Sequence, residues 1–91
     1  MSDAAWRRRP DVLWRRSLDA VILLPEDAAD PFHLVGTGPD VWELLAEPRT
    51  LDALVAVLAT MYEADPDVVR SDVATVLDRL VDSGALERID V

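Results

Sequence analysis

The side chains equipped for chemistry are His33, Tyr62, the serines and the carboxylates, because the chain holds a single histidine and no cysteine. Catalysis needs a nucleophile or an acid–base pair held in a concave site, and none of these residues falls into such a motif. His33 has no cysteine or second histidine with which to build a triad or a metal site, and it reads as a solvent-facing strand residue. Without cysteine there is no disulfide, no thiolate zinc site and no thiol enzyme. Asp65, Asp67 and Asp72 gather where a helix begins, where the helix dipole favours negative charge, and their spacing is not that of a calcium loop. Gly36-Thr37-Gly38 precedes a helix but lacks the third glycine and the lysine of a phosphate cradle, so it marks a tight turn. Asp82-Ser83-Gly84 ends a helix, whereas a serine that carries phosphopantetheine opens one and is followed by leucine. The sequence therefore predicts a protein that is not an enzyme and takes no cofactor and no metal.

Charge narrows the partners. The formal charge is −9, from eighteen acids against nine bases, all of them arginine. Residues 1–16 carry five of the arginines and only two aspartates, so the rest of the chain is strongly acidic. Such a domain repels a phosphate backbone, and nucleic acid is a poor partner; a peptide or a protein with a basic or apolar face suits it better. The longest aliphatic run, Ala20 to Leu24, stops at Pro25, far short of the ~20 residues a bilayer crossing requires. The N-terminus has no apolar stretch of a secretory signal, so the expected setting is cytoplasmic, away from membrane.

The elements that would position a site follow from hydrophobic period. Residues 1–9, MSDAAWRRR, lack periodicity and are expected to form a flexible N-terminal arm, with one domain over 10–91. Val12–Arg16 and Leu18–Leu24 are rich in β-branched, aromatic and aliphatic residues and predict two short antiparallel strands. A proline- and acid-rich turn over 25–31 leads to a third strand, Phe32-His33-Leu34-Val35. Thereafter the period lengthens. Thr37 or Asp40 caps a short helix with apolar Val41, Trp42, Leu44 and Leu45. Thr50 caps a second through Tyr62, and Asp65-Pro66 opens a third that Gly84 closes. Residues 85–89 are expected to fold back over the core as a tail. The fold class is α+β, a three-stranded antiparallel sheet followed by three helices. Its third strand carries neither lysine nor internal proline, so that edge is open to an added strand.

Several segments in this order carry a family likeness: Val12-Leu13-Trp14-Arg15-Arg16, Val21-Ile22-Leu23-Leu24, and Leu34-Val35-Gly36-Thr37-Gly38-Pro39-Asp40-Val41-Trp42-Glu43-Leu44-Leu45. They continue with Arg49-Thr50-Leu51-Asp52-Ala53-Leu54-Val55, Tyr62-Glu63-Ala64-Asp65-Pro66-Asp67-Val68-Val69, Asp72-Val73 and Leu80-Val81-Asp82-Ser83-Gly84-Ala85-Leu86. Together they resemble the PqqD-like family, the peptide chaperones or recognition elements of pathways that modify ribosomally made peptides. The likeness spans about residues 10–89.

What the resemblance implies is a winged-helix-like domain that binds the leader segment of a precursor peptide. It would deliver that segment to a modifying enzyme or a leader peptidase, with a lasso-type pathway favoured over one served by a radical SAM enzyme. In that family the leader adds as a strand beside the third strand and against the third helix. Carried over by position, the peptide-binding residues would be Phe32, His33, Leu34 and Val35 on the strand. The helix wall would be Val69, Asp72, Val73, Val76 and Leu77. Strand addition has its own logic, since backbone hydrogen bonds give affinity and pockets for alternate side chains give specificity. Val73, Val76 and Leu77 also suit plain core, and Asp72 suits either a basic leader residue or solvent. Two other readings compete. A winged-helix transcription regulator would insert its third helix into DNA, yet between Asp65 and Ser83 that helix offers two arginines against five aspartates. A non-catalytic adaptor subunit of an enzyme complex is the other.

Overall fold

The computed structural model of the chain describes residues 4–26 and 29–90. Nine elements follow one another. They are β1 (Ala4–Arg8), β2 (Leu13–Arg16), β3 (Val21–Leu24), β4 (Phe32–Leu34), α1 (Gly38–Leu44), β5 (Arg49–Thr50), α2 (Leu51–Tyr62), α3 (Pro66–Asp82) and β6 (Leu86–Asp90). The architecture is α+β, with the expected antiparallel sheet in the order β2-β3-β4 and the three expected helices. A second antiparallel sheet, β5-β1-β6, joins them.

That second sheet corrects two expectations. The segment 1–9 is not an arm over its described part, because β1 is the middle strand between β5 and β6. The physical reason lies in its arginines. Ala5 is buried, and the Arg8 guanidinium lies over the rings of Trp14 and Trp42, 4.8 and 4.6 Å from their centroids. Its Nε and Nη2 donate to the Trp42 carbonyl at 3.1 and 2.5 Å. A long cationic side chain buries its stem and stacks its head, so a run that looks solvated can belong to a core strand. Residues 1–3 of the expected arm lie outside the described residues. The tail at 85–89 is the strand β6, ladder partner of β1 from Ala4↔Asp90 to Arg8↔Leu86.

The helix ends were legible. Thr50 accepts a hydrogen bond from the Ala53 amide at 3.1 Å and opens α2, and Asp65 accepts from the Asp67 amide at 2.8 Å and opens α3. Thr37 holds the cap position of α1, but its side chain makes no capping bond. Gly84, with φ of +85°, follows α3 in the left-handed region where glycine is favoured.

The helices close over the inner face of β2-β3-β4. Val21, Leu23 and Leu34 of that sheet pack with Val41 and Trp42 of α1, Leu54 and Leu58 of α2, and Val73, Leu77 and Leu80 of α3. Trp42 is fully buried, and Trp14 of β2 meets it edge-on, with ring centroids 5.9 Å apart. Arg16 of β2 pairs with Glu43 of α1 at 3.0 Å. The β2 side of the sheet is thus engaged with α1 and with Arg8.

Candidate functional site

The β4 edge is the other border of this sheet, and hydrogen-bond parity shows what it presents. The Ser17 amide donates to the Ala20 carbonyl at 2.9 Å, which makes Ser17 and Ala20 a hydrogen-bonded pair at the turn between β2 and β3. Antiparallel ladders alternate bonded and non-bonded pairs. In the observed register, Arg15↔Ile22 and Leu13↔Leu24 are then bonded, and Val21 and Leu23 turn their backbone groups towards β4. Their partners are Leu34 and Phe32, which spend their backbone groups inward, while His33, opposite Ile22, points its N–H and C=O to the open side. By the same alternation the Val35 N–H faces outward. Its carbonyl is taken by the Gly38 amide at 3.2 Å, in the turn where Gly36 adopts φ of +65°.

Side chains alternate in the opposite sense. Leu34 is buried and Phe32 partly buried against the core, whereas His33 and Val35 are exposed, Val35 at 68%. Across from Phe32 stands α3, whose Arg79 guanidinium lies 5.0 Å from the Phe32 ring centroid. The helix that would wall a docked strand is therefore fixed by a contact.

Of the helix residues expected at the site, Val69, Val73 and Leu77 are core, with 4, 0 and 1% exposure, and they support the wall from behind. Leu34 is core as well. The 3.6-residue period explains the division, since these residues lie on the helix stripe that faces α2, α1 and β6 and have no surface left for a ligand. Asp72 is exposed and Val76 is partly buried. Arg79 was missed. It follows Asp72 by seven residues and Val76 by three, so all three fall within about 60° on one face of the helix. That spacing was the available signal.

Of the other chemistry-bearing side chains, Tyr62 has the most distinctive surroundings. Tyr62, at the end of α2, donates its hydroxyl hydrogen to Oδ2 of Asp40 in α1. Burial, and then the Asp40 carboxylate, push its pKa up to about 12. That direction is wrong for proton transfer near neutrality. Absorbance titration should find this phenol ionising well above the ordinary ~10 of tyrosine, and an Asp40→Asn substitution should lower the midpoint. The linkage has a definite sign. A raised folded-state pKa stabilises the fold fully below about pH 10, and that contribution is lost as pH climbs towards 12. An unchanged midpoint in the variant would remove Asp40 as the cause. No group of three or more metal-ligating side chains occurs among the described residues. No helix among them is long and apolar enough to cross a membrane.

The fold and the site define a class, a small α+β domain with an open antiparallel edge set beside a long helix. Within that class, the chain belongs to the PqqD family, whose model, described as coenzyme PQQ synthesis protein D, matches residues 20–86. No curated protein sequence matches it significantly. Two solved structures share its shape. One is TbiB1 in complex with the TbiA(beta) leader peptide, 26% identical over 89% of this chain and 94% of that one, with a TM-score of 0.79. The other is the solution structure of the PqqD truncation of Methylobacterium extorquens PqqCD, described as a functional, stand-alone RiPP recognition element. It is 24% identical over 91% of this chain and 88% of that one, with a TM-score of 0.76, and its likeness is one of fold.

Proposed function

We propose that this protein is a non-catalytic recognition element of the cytoplasm that binds the leader segment of a ribosomally synthesised precursor peptide. The leader adds as a strand to β4 and lies against α3. The observation that carries this reading is the outward-facing backbone of His33 and Val35 beside α3, whose Arg79 lies over Phe32 and shares a helix face with Asp72 and Val76. A backbone edge next to a side-chain wall is what strand addition needs. The likeness to TbiB1, solved with a leader peptide, supports it.

Delivery to a modifying enzyme or leader peptidase is the second half of the proposal. A domain without catalytic groups contributes by raising the effective concentration of the peptide at another protein's active site. The outer face of β2-β3-β4 leaves room for such a partner. Leu13, at 69% exposure, joins Ile22 and Leu24 around a shallow depression of about 300 Å³, on the face opposite the helices. Whether the pathway is lasso-type is decided by which precursor's leader binds.

The test is a fluorescence-polarisation titration with synthetic leader peptides of the precursors encoded beside this gene, with duplex DNA as the control. Saturable binding to one leader and none to DNA is expected. Retention on DNA that weakens with salt, with no leader bound, would overturn the proposal in favour of a regulator.

A further inference from the structure

Arg79 stands in the last turn of α3, where the helix dipole favours a cation, but the dipole does not account for where its guanidinium lies. Four arginines are held by carboxylates, Arg7 by Glu87, Arg9 by Asp11, Arg16 by Glu43 and Arg70 by Asp52. Arg79 makes no such pair among the described residues, although Asp82 stands one turn further along the same helix. Its guanidinium is instead laid over the Phe32 ring, at the border where β4 has no neighbour. A guanidinium stacked on an aromatic face keeps its in-plane N–H donors free and oriented, and the planar fork suits a carboxylate.

The rest of the helix stripe sets the context. From Asp72 to Arg79 is about 10 Å at 1.5 Å per residue, with Val76 between them. The wall is therefore acidic at one end, apolar in the middle and cationic at the other. A strand lying along it meets two opposite charges in a fixed order.

We infer that Arg79 is a specificity-determining residue of the groove, seating a carboxylate side chain of the bound leader strand against Phe32. The ligand class that follows is a leader segment with an aspartate or glutamate at one end of the docked stretch and an aliphatic residue opposite Val76. This inference rests on the proposed docking at β4. It explains why an otherwise acidic domain keeps an unpaired cation at this border: the long-range field of a −9 protein disfavours an acidic ligand, and a local anchor admits it at one position only.

A charge-swap experiment tests it. The probe is the fluorescein-labelled leader of the precursor encoded beside this gene that binds the unaltered protein, together with variants in which each acidic residue in turn becomes arginine. Arg79→Glu should weaken binding of the original leader about tenfold or more, and Arg79→Gln less. One acidic-to-arginine leader variant should recover at least half of that loss on Arg79→Glu while binding the unaltered protein poorly. Thermal melting of both protein variants should stay within a few degrees of the parent, separating binding from the role of a basic residue in the last helical turn. Equal affinity of Arg79→Glu and the parent for the leader, or a loss that no leader variant rescues, would overturn the inference and leave docking at β4 standing. If no leader binds the unaltered protein, the docking proposal itself fails, and this inference with it.

Discussion

Removal of residues 1–9 is expected to abolish the cooperative thermal transition followed by circular dichroism. These residues hold the middle strand of β5-β1-β6, and their loss strips both neighbours of their ladder partner at once. Deleting them uncovers the side of Leu86, removes buried Ala5 and breaks the bond from the Arg9 amide to the Ala85 carbonyl. It also withdraws Arg8 from the two tryptophan rings, where it ties β1 to Trp14 of β2 and to the Trp42 carbonyl of α1. A domain of this size is stable by about 5–10 kcal/mol, and such losses approach that total. The single substitution Arg8→Met isolates the last contribution. Two charge-assisted bonds and two ring contacts set its cost at about 2 kcal/mol, a fall in Tm of roughly 8–16 °C. Arg8→Lys should recover little, since an ammonium group cannot span both rings and the carbonyl as a planar fork does. A truncated protein that melts cooperatively within a few degrees of the parent would show that β1 is dispensable.

The same strand shows where sequence reading reaches its limit. Three consecutive arginines suppress every hydropathy signal, and only the tertiary partners Trp14 and Trp42 turn Arg8 into an inward residue. Nor does anything in Leu86–Asp90 announce its pairing with a strand nearly eighty residues earlier. By contrast, the elements decided by local chemistry were legible: Thr50 and Asp65 capping their helices, Gly84 ending the third, and the alternation of Phe32, His33 and Leu34. The site lay between these cases. The two elements assigned to the proposed site are present as expected, because an unblocked edge strand and a long amphipathic helix are local properties. Which helix residues stay exposed was not legible, because a helix stripe does not say which of its flanks borders the open edge. Val69, Val73 and Leu77 proved to be core, and Arg79, which was not among the expected residues, lies over Phe32 at the border.

Hydrogen-bond parity along β4 yields the prediction with the largest effect on binding. Val35 directs its N–H to the open side, so Val35→Pro removes a donor that the fold does not use and the incoming strand does. Proline is tolerated at such an edge position, and Leu34 before it is already extended, as a residue preceding proline prefers. The ring also occupies the space where the added strand's carbonyl would approach. Leader affinity measured by fluorescence polarisation should therefore fall by more than tenfold while the melting transition moves little. Leu34→Pro is the matched control. Its N–H belongs to the β3–β4 ladder, so proline there should lower Tm sharply, by the cost of a broken ladder bond and a displaced core leucine. One residue of displacement thus separates a binding defect from a folding defect. A folded Val35→Pro protein with undiminished affinity for its leader would place the docking strand elsewhere. The remaining border of that sheet is β2, where the Trp14 and Arg16 side chains are committed to Trp42 and Glu43.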